Sequence, residues 1–423
     1  MIIHLHKYTA LFALGLGAVI SIGIFSFGLR NHNAQQPIFG FPKVITFVAQ
    51  KVAPQPTPQQ PKRLSPVPQT VKAVYLTAWS AGNPKTIDTI INLADTTELN
   101  GVVIDIKDYT GRVMFETTSD AIKKLGAEQI QIPNFKDLIE KLHSHNIYVI
   151  ARIAGFQDVY LAEHRPELAV RNAYTGAIWR DKKNLAWVDP ANTEVWDYLI
   201  DISNQAINLG VDEINFDYIR FPSDGDISLL AYPTYDATKL NKAKQIKAFF
   251  AYISEHLGQT DAKLSLDLFG LSTVSTTDMG IGQVLEYALP YFDYVSPMVY
   301  PSHYANGSFG YKNPAAYPYE IVFQSMSQAE LRRAKLLQSL ASTTIAIASS
   351  TQQFDASEKN NTIKPDTPLG KFRPWLQAFD LGAVYTPDMV RKQIQATYDA
   401  HATSGWYLWN PTNTYDPTIF LKK

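Results

Sequence analysis

From Val71 onward, short runs rich in β-branched and aromatic residues alternate with longer segments whose apolar positions recur every three or four residues. The first pattern predicts strands and the second amphipathic helices. Strands are expected at 73–79 (AVYLTAW), 101–108 (GVVIDIKD), 148–156 (YVIARIAGF), 213–222 (EINFDYIRFP), 263–270 (KLSLDLFG), 294–304 (YVSPMVYPSHY), 375–379 (WLQAF) and 405–410 (GWYLWN). Helices are expected over 84–97, 133–145, 192–208, 238–256, within 314–340 and over 388–403. YTGRVMFET, after the second strand, reads as a hairpin insertion with Gly111 at its turn, and a long loop follows the third strand to about Pro190. The run at 342–350 (STTIAIASS) suits either kind of element. Repeated strand–helix units imply a parallel sheet covered by helices. Eight of them predict a closed (β/α)8 barrel of the TIM type, an α/β fold. No glycine-rich phosphate loop follows the first strand, which argues against a dinucleotide-binding fold.

The pattern upstream of Val71 is different. Residues 8–29 (YTALFALGLGAVISIGIFSFGL) form an uncharged run of 22, bracketed by Lys7 and Arg30. As a helix this run is about 33 Å long, against roughly 30 Å for a bilayer core. It exceeds a signal-peptide core and lacks a small-x-small site after it, so residues 1–30 predict an uncleaved transmembrane signal anchor with the N-terminus inside. Residues 31–70 predict a linker, six prolines between 53 and 69 making it a semi-rigid spacer. The barrel domain is then 71–423, held outside the cytoplasm on a membrane anchor.

Composition narrows the class of function. The formal net charge of −1 offers no field for nucleic acid. There is no cysteine, which excludes disulfides, thiolate metal sites and a cysteine nucleophile. The nine histidines include no HExxH, and His143 and His145 lie two apart, so no metal site is expected. The chain carries 23 Tyr, 21 Phe and 7 Trp. Such rings suit sugar faces, although most aromatics fill cores.

In a barrel of this kind the chemistry sits at the C-terminal ends of the strands. Side chains alternate along a strand, so Asn215 and Asp217 share a face, with Ile214, Phe216 and Tyr218 turned under the helices. Ser265 and Asp267 share a face in the same way, and so do Asp105 and Lys107. Arg152 lies on the third strand, Arg220 just beyond the fourth, Tyr300 and His303 follow the sixth, and Trp409 ends the eighth. Carboxylates converging on one rim are what hydrolysis of a glycosidic bond requires. The competing reading is structural: a strand-end Asp often caps a helix or pairs with an Arg, and Asp105 has Lys107 and Arg152 within reach. Trp79 and Trp409 serve equally as sugar platforms or as packing.

The segments VKAVYLTAWSAG, NGVVIDIKDYTGRV and VDEINFDYIRFPSDG, supported in order by SLDLFG and VSPMVYPSHY, resemble a bacterial glycosyl-hydrolase-like domain family related to other glycoside-hydrolase barrels. The resemblance covers about residues 71–418, and the stretch 338–361 departs from it. It implies a TIM barrel that acts on polysaccharide, or descends from enzymes that do. It also implies Asp217 as the leading catalytic carboxylate, with Asp267 as its partner.

Two readings follow. The first is an O-glycosyl hydrolase of envelope or extracellular polysaccharide. It would work through Asp217 and Asp267, with Asp105, Lys107, Arg152, Asn215, Arg220, Tyr300 and Trp409 holding the substrate and no cofactor required. The second is a non-catalytic, membrane-tethered carbohydrate-binding barrel.

Overall fold

In the computed structural model, which describes residues 62–349 and 368–423, the alternation resolves into strands β1 (Val71–Leu76), β2 (Gly101–Lys107), β3 (Tyr148–Ala154), β4 (Glu213–Asp217), β5 (Lys263–Phe269), β6 (Tyr294–Met298), β7 (Trp375–Gln377) and β8 (Gly405–Trp409). Between them run helices α1 (Pro84–Thr96), α2 (Phe135–Ser144), α3 (Thr193–Leu209), α4 (Lys242–Leu257), α5 (Leu285–Ala288), α6 (Pro318–Ser349) and α7 (Pro387–Asp399). Every neighbouring pair of barrel strands is parallel, and pairing of Trp375 with Met298 joins β7 to β6 and closes the ring. The expected transmembrane segment, most of the linker and the second half of the 338–361 stretch lie outside the described residues. Among the described residues no helix is long and apolar enough to cross a membrane.

The helices start where the sequence offers a cap. Asn83, Asn192 and Asn241 each accept a backbone N–H of the first turn of α1, α3 and α4, and Thr386 does the same for α7. The α4 start expected at 238 falls four residues too early. There Asp236 accepts the N–H and hydroxyl of Thr238 and holds a turn instead. Inward-facing residues of α3 recur at Val195, Leu199, Ile202 and Ala206, all buried against the barrel wall. Each such aliphatic side chain contributes about 1.5–3 kcal/mol by leaving water.

One expectation fails locally, and the seventh strand is shorter than expected. The insertion after β2 is not a paired hairpin: Val113 makes one antiparallel bridge to Lys107 and one parallel bridge to Glu128, so the segment is an ordered loop. Gly111 does sit at its turn, at φ 83°. The seventh strand is split, because Pro374 has no N–H to give the ladder. Lys371–Phe372 pair with β6 before Pro374, and β7 follows it.

The strand faces separate two environments. Ile214, Phe216, Leu264, Leu266, Leu268 and Leu408 point outward beneath the helices. The interior is partly polar. At the N-terminal end of the barrel, Arg373 Nη1 donates to Glu213 at 2.8 Å, and the hydroxyls of Tyr407 and Tyr148 donate to the same carboxylate. Leu64, within the expected linker, joins the inner apolar cluster, and its N–H donates to Asp212 at 2.8 Å. That end of the barrel is therefore filled, and open space is left at the other.

Gly405 starts β8 at φ 116°, and a Cβ there would lie 1.8 Å from the Val71 carbonyl oxygen. Gly405→Ala must push β8 away from β1 and is expected to destabilise the protein by well over about 1 kcal/mol. A lowered urea midpoint would register it, and an unchanged midpoint would contradict this register.

Candidate active site

The C-terminal ends of the strands surround a cavity of about 430 Å3. Asp217, the last residue of β4, is the only carboxylate on its wall among the described residues. Its Oδ1 accepts the N–H of Tyr218 at 2.6 Å, and its Oδ2 accepts Nη2 of Arg152 in a short ion pair. Tyr218 has φ 54°, in the left-handed region where a bulky residue is strained. This ends the alternation of β4. Tyr218 packs against the core beneath the helices, as its register predicts, and also lines the cavity.

Arg152, on β3, is the hub of the site. Nη1 donates to Asp105 at 2.5 Å, Nη2 to Asp217, and Nε to Asp267 at 3.3 Å. Three carboxylates share one guanidinium, and all four side chains are buried. Asp105 also accepts the Tyr75 hydroxyl at 2.5 Å. Asp267 is fully buried and accepts Trp375 Nε1 at 2.7 Å and Asn215 Nδ2 at 2.9 Å. Burial, and then the neighbouring charge of Asp217, push Asp267 up to about 8. Burial also raises Asp105, although Arg152 opposes it. At neutral pH Asp267 therefore holds a proton, which relieves the excess of negative charge around Arg152.

This proton has a measurable consequence. The folded state retains it between about pH 4 and 8, where an unfolded Asp would have lost it. Native protein binds more protons than unfolded protein in that window, so stability falls as pH rises through it and levels off above it. The slope contributed is up to about 1.4 kcal/mol per pH unit. Asp267→Asn is expected to remove that component of the slope in urea titrations at pH 5, 6, 7 and 8. An unaltered slope would show that Asp267 is not the group responsible.

The expected site residues divide into three groups. Arg152, Asp217, Arg220, Tyr300 and Trp409 reach the cavity wall. Asp105, Asn215 and Asp267 sit beneath it as a buried layer that holds Arg152 and Asp217 in place. Lys107 is not in the site. The β2–β3 register shifts between Asp105 and Lys107, which breaks the alternation that placed them on one face. Lys107 is instead fully buried, paired with Asp158 at 2.8 Å and donating to the Ala154 carbonyl. Asp217 and Asp267 bond neighbouring nitrogens of the same guanidinium. Asp267 is fully buried and lies off the cavity wall, whereas both carboxyls of such a pair must border the scissile bond. The expectation of two carboxylates working from opposite sides of the bond does not fit this arrangement.

Aromatic side chains make up much of the remaining wall. Trp409 lies 6.0 Å from both Tyr75 and Tyr300, centroid to centroid, and Phe379 meets it edge-on at 5.0 Å. Burial keeps the Tyr300 hydroxyl protonated and pulls His303 below its ordinary value, so both are neutral groups at neutral pH. Phe269 and Lys183 also line the cavity. Phe269 was detectable, since it continues the inward series Ser265, Asp267. Lys183 comes from the long loop after β3, where no periodicity marks it.

The family described as "Putative glycosyl hydrolase domain" matches residues 73–364 and 346–415. Among solved structures, a hypothetical protein from Ruminiclostridium thermocellum ATCC 27405 is 38% identical over 46% of this chain and 96% of its own, with a TM-score of 0.42. The PgaB (BpsB) glycoside hydrolase domain from Bordetella bronchiseptica is 13% identical over 83% of this chain and 95% of its own, with a TM-score of 0.54. The latter shows a shared barrel fold. TtGalA, an alpha-galactosidase from Thermus thermophilus, is 14% identical over 85% of this chain and 60% of its own, with a TM-score of 0.45. A comparison with curated proteins finds no match.

Proposed function

The chain belongs to the family described as "Putative glycosyl hydrolase domain", and on that premise we propose that it is an O-glycosyl hydrolase of envelope or extracellular polysaccharide in which Asp217 is the catalytic carboxylate. One observation carries this reading: among the described residues a single carboxylate faces a cavity rich in aromatic side chains, and its two oxygens are fixed from behind by Arg152 and the Tyr218 N–H. Preorganised groups of this kind stabilise charge that appears only in the transition state.

As the glycosidic C–O bond breaks, positive charge develops at the anomeric carbon, and Asp217 attacks it or stabilises it. The leaving oxygen takes its proton from a protic group in the cavity or from water. Water then hydrolyses the glycosyl ester or captures the cation and returns the proton. Asp267 and Asp105 act through Arg152 as positioning residues. Tyr300 and Trp409 offer ring faces, and an OH and an NH, to the sugar.

The reading is tested by incubating the full-length protein with bacterial cell-wall and exopolysaccharide fragments and measuring new reducing ends. Release from at least one fragment is expected. The Arg152–Asp217 ion pair also favours a second reading, a carbohydrate-binding barrel without turnover. Saturable binding with no release from any fragment would select it.

The uncharged run at 8–29 and the proline-rich linker support localisation on a membrane with the barrel outside the cytoplasm. Full-length protein is expected in the membrane fraction and open to protease added outside the cell. Removal of residues 1–30 should shift it to the soluble fraction, and a soluble full-length chain would contradict the anchor.

A further inference from the structure

Three arginines are buried among the described residues: Arg152, Arg220 and Arg373. Buried charges are ordinarily paired, because an uncompensated one forfeits its hydration. Arg152 is paired with three carboxylates and Arg373 with Glu213. Arg220 makes no ion pair with a carboxylate among the described residues, although it is only 7% exposed; Asp217, Asp224 and Asp181 act on it only from beyond ion-pair distance. It lies on the cavity wall, sandwiched with its guanidinium carbon 4.8 Å from the ring centroids of both Trp187 and Phe269. Nη1 is used internally, donating to the Phe221 carbonyl and the Ser223 hydroxyl at 3.1 Å each. Nε and Nη2 make no hydrogen bond to the described residues. They form the edge of the guanidinium that accepts a planar carboxylate through two parallel bonds.

Of the three cationic side chains on the cavity wall, Arg152 is offset by its own three carboxylates, which leaves Arg220 and Lys183 beside the one carboxylate that the wall carries among the described residues, Asp217. That carboxylate is already engaged by Arg152. Lys183 is exposed and has no acid partner among the described residues. A fixed, aromatic-clamped guanidinium with a free edge, beside a mobile ammonium, is a receptor for an anionic group on the ligand. Burial pulls Arg220 below its ordinary value, and an anion in the cavity would offset that effect.

We infer that the sugar bound in this cavity carries a carboxylate, as a uronic acid residue does, and that the Nε–Nη2 edge of Arg220 binds it. The inference rests on the saccharide reading of the cavity, but not on hydrolysis.

The test is calorimetric titration of the full-length protein with oligomers of galacturonate, glucuronate, mannuronate and guluronate, each beside its carboxyl-reduced counterpart. At least one uronate oligomer is expected to bind. Its carboxyl-reduced form and the Arg220→Gln variant should each weaken that binding roughly ten- to hundredfold. Arg220→Lys should recover only part of it, because the forked geometry is lost. Rising salt should weaken the wild type more steeply than the residual binding of Arg220→Gln, in which Lys183 still faces the ligand, a difference in slope that misfolding would not produce. The inference is overturned if no uronate binds, if reduction of the carboxyl has no effect, or if Arg220→Gln binds as wild type. It is equally overturned if inorganic phosphate or sulfate alone occupies the cavity. Cleavage of neutral glycans without uronate binding would defeat the inference and leave the hydrolase reading standing. Arg220-dependent uronate binding without cleavage would do the reverse.

Discussion

Asp217→Asn is expected to lower kcat/KM for any polysaccharide the protein cleaves by about a thousandfold or more, which is about 4 kcal/mol of transition-state stabilisation. The substitution preserves shape, and the side-chain oxygen can still accept the Tyr218 N–H. It removes the charge that faces the anomeric carbon. The loss should therefore fall on kcat, with oligosaccharide affinity changed by less than about tenfold, since the interaction removed exists mainly in the transition state. A structural role for Asp217 predicts a different outcome, a lowered melting temperature with activity falling in proportion. Asp267 provides a second readout. The charge of Asp217 helps to raise it, so Asp217→Asn should bring Asp267 down towards the ordinary carboxylate range.

Arg152→Met should be the most damaging single change to stability. It leaves Asp105, Asp217 and Asp267 buried together without their shared cation. Removing one partner from a buried ion cluster costs about 3–5 kcal/mol. The cost should depend on pH in a known direction. Arg152 opposes the upward push that burial gives Asp105 and Asp267, so without the guanidinium both rise further in the folded state. The folded variant then binds more protons than the unfolded one, and its stability recovers as pH falls. Urea titrations at pH 5 and pH 8 should show the deficit relative to wild type shrinking at the lower pH. A deficit of equal size at both would mean that lost packing, not charge, is responsible.

The barrel was legible because its strands are short, regular and backed by helices of clear period. The inward faces of β4 and β5 were legible for the same reason. Asn215 with Asp217, and Ser265 with Asp267, lie on uninterrupted strands whose alternate residues Ile214, Phe216, Leu264 and Leu266 are apolar. Alternation misplaced side chains wherever the backbone departs from an ideal strand. The register shift in β2 carries Lys107 away from Asp105, and the left-handed turn at Tyr218 gives a residue expected only beneath the helices a second face on the cavity. Pro374 cut the seventh strand to three residues and left little pattern to read.

Apart from the pairing of Asp105 with Arg152, which their places on adjoining strands allowed, the ion cluster lay beyond local pattern. Arg152, Asp105, Asp217 and Asp267 come from four strands, and only closure of the sheet brings three acids onto one guanidinium. Composition and spacing suggested a rim of independent carboxylates. The structure replaces that rim with one carboxylate in the cavity and two buried behind it. Lys183 was invisible for the opposite reason, since a loop residue carries no periodic signal of where it will point.

The most direct test of Asp217 as the catalytic carboxylate is chemical rescue. Once a cleaved substrate is in hand, Asp217→Gly should be inactive alone and should form a glycosyl azide when sodium azide is supplied, because the anion fills the space and takes the role of the missing carboxylate. Accumulation of that azide adduct, detected by mass spectrometry, is the result the account predicts. Cleavage by Asp217→Gly at the wild-type rate without azide would contradict it.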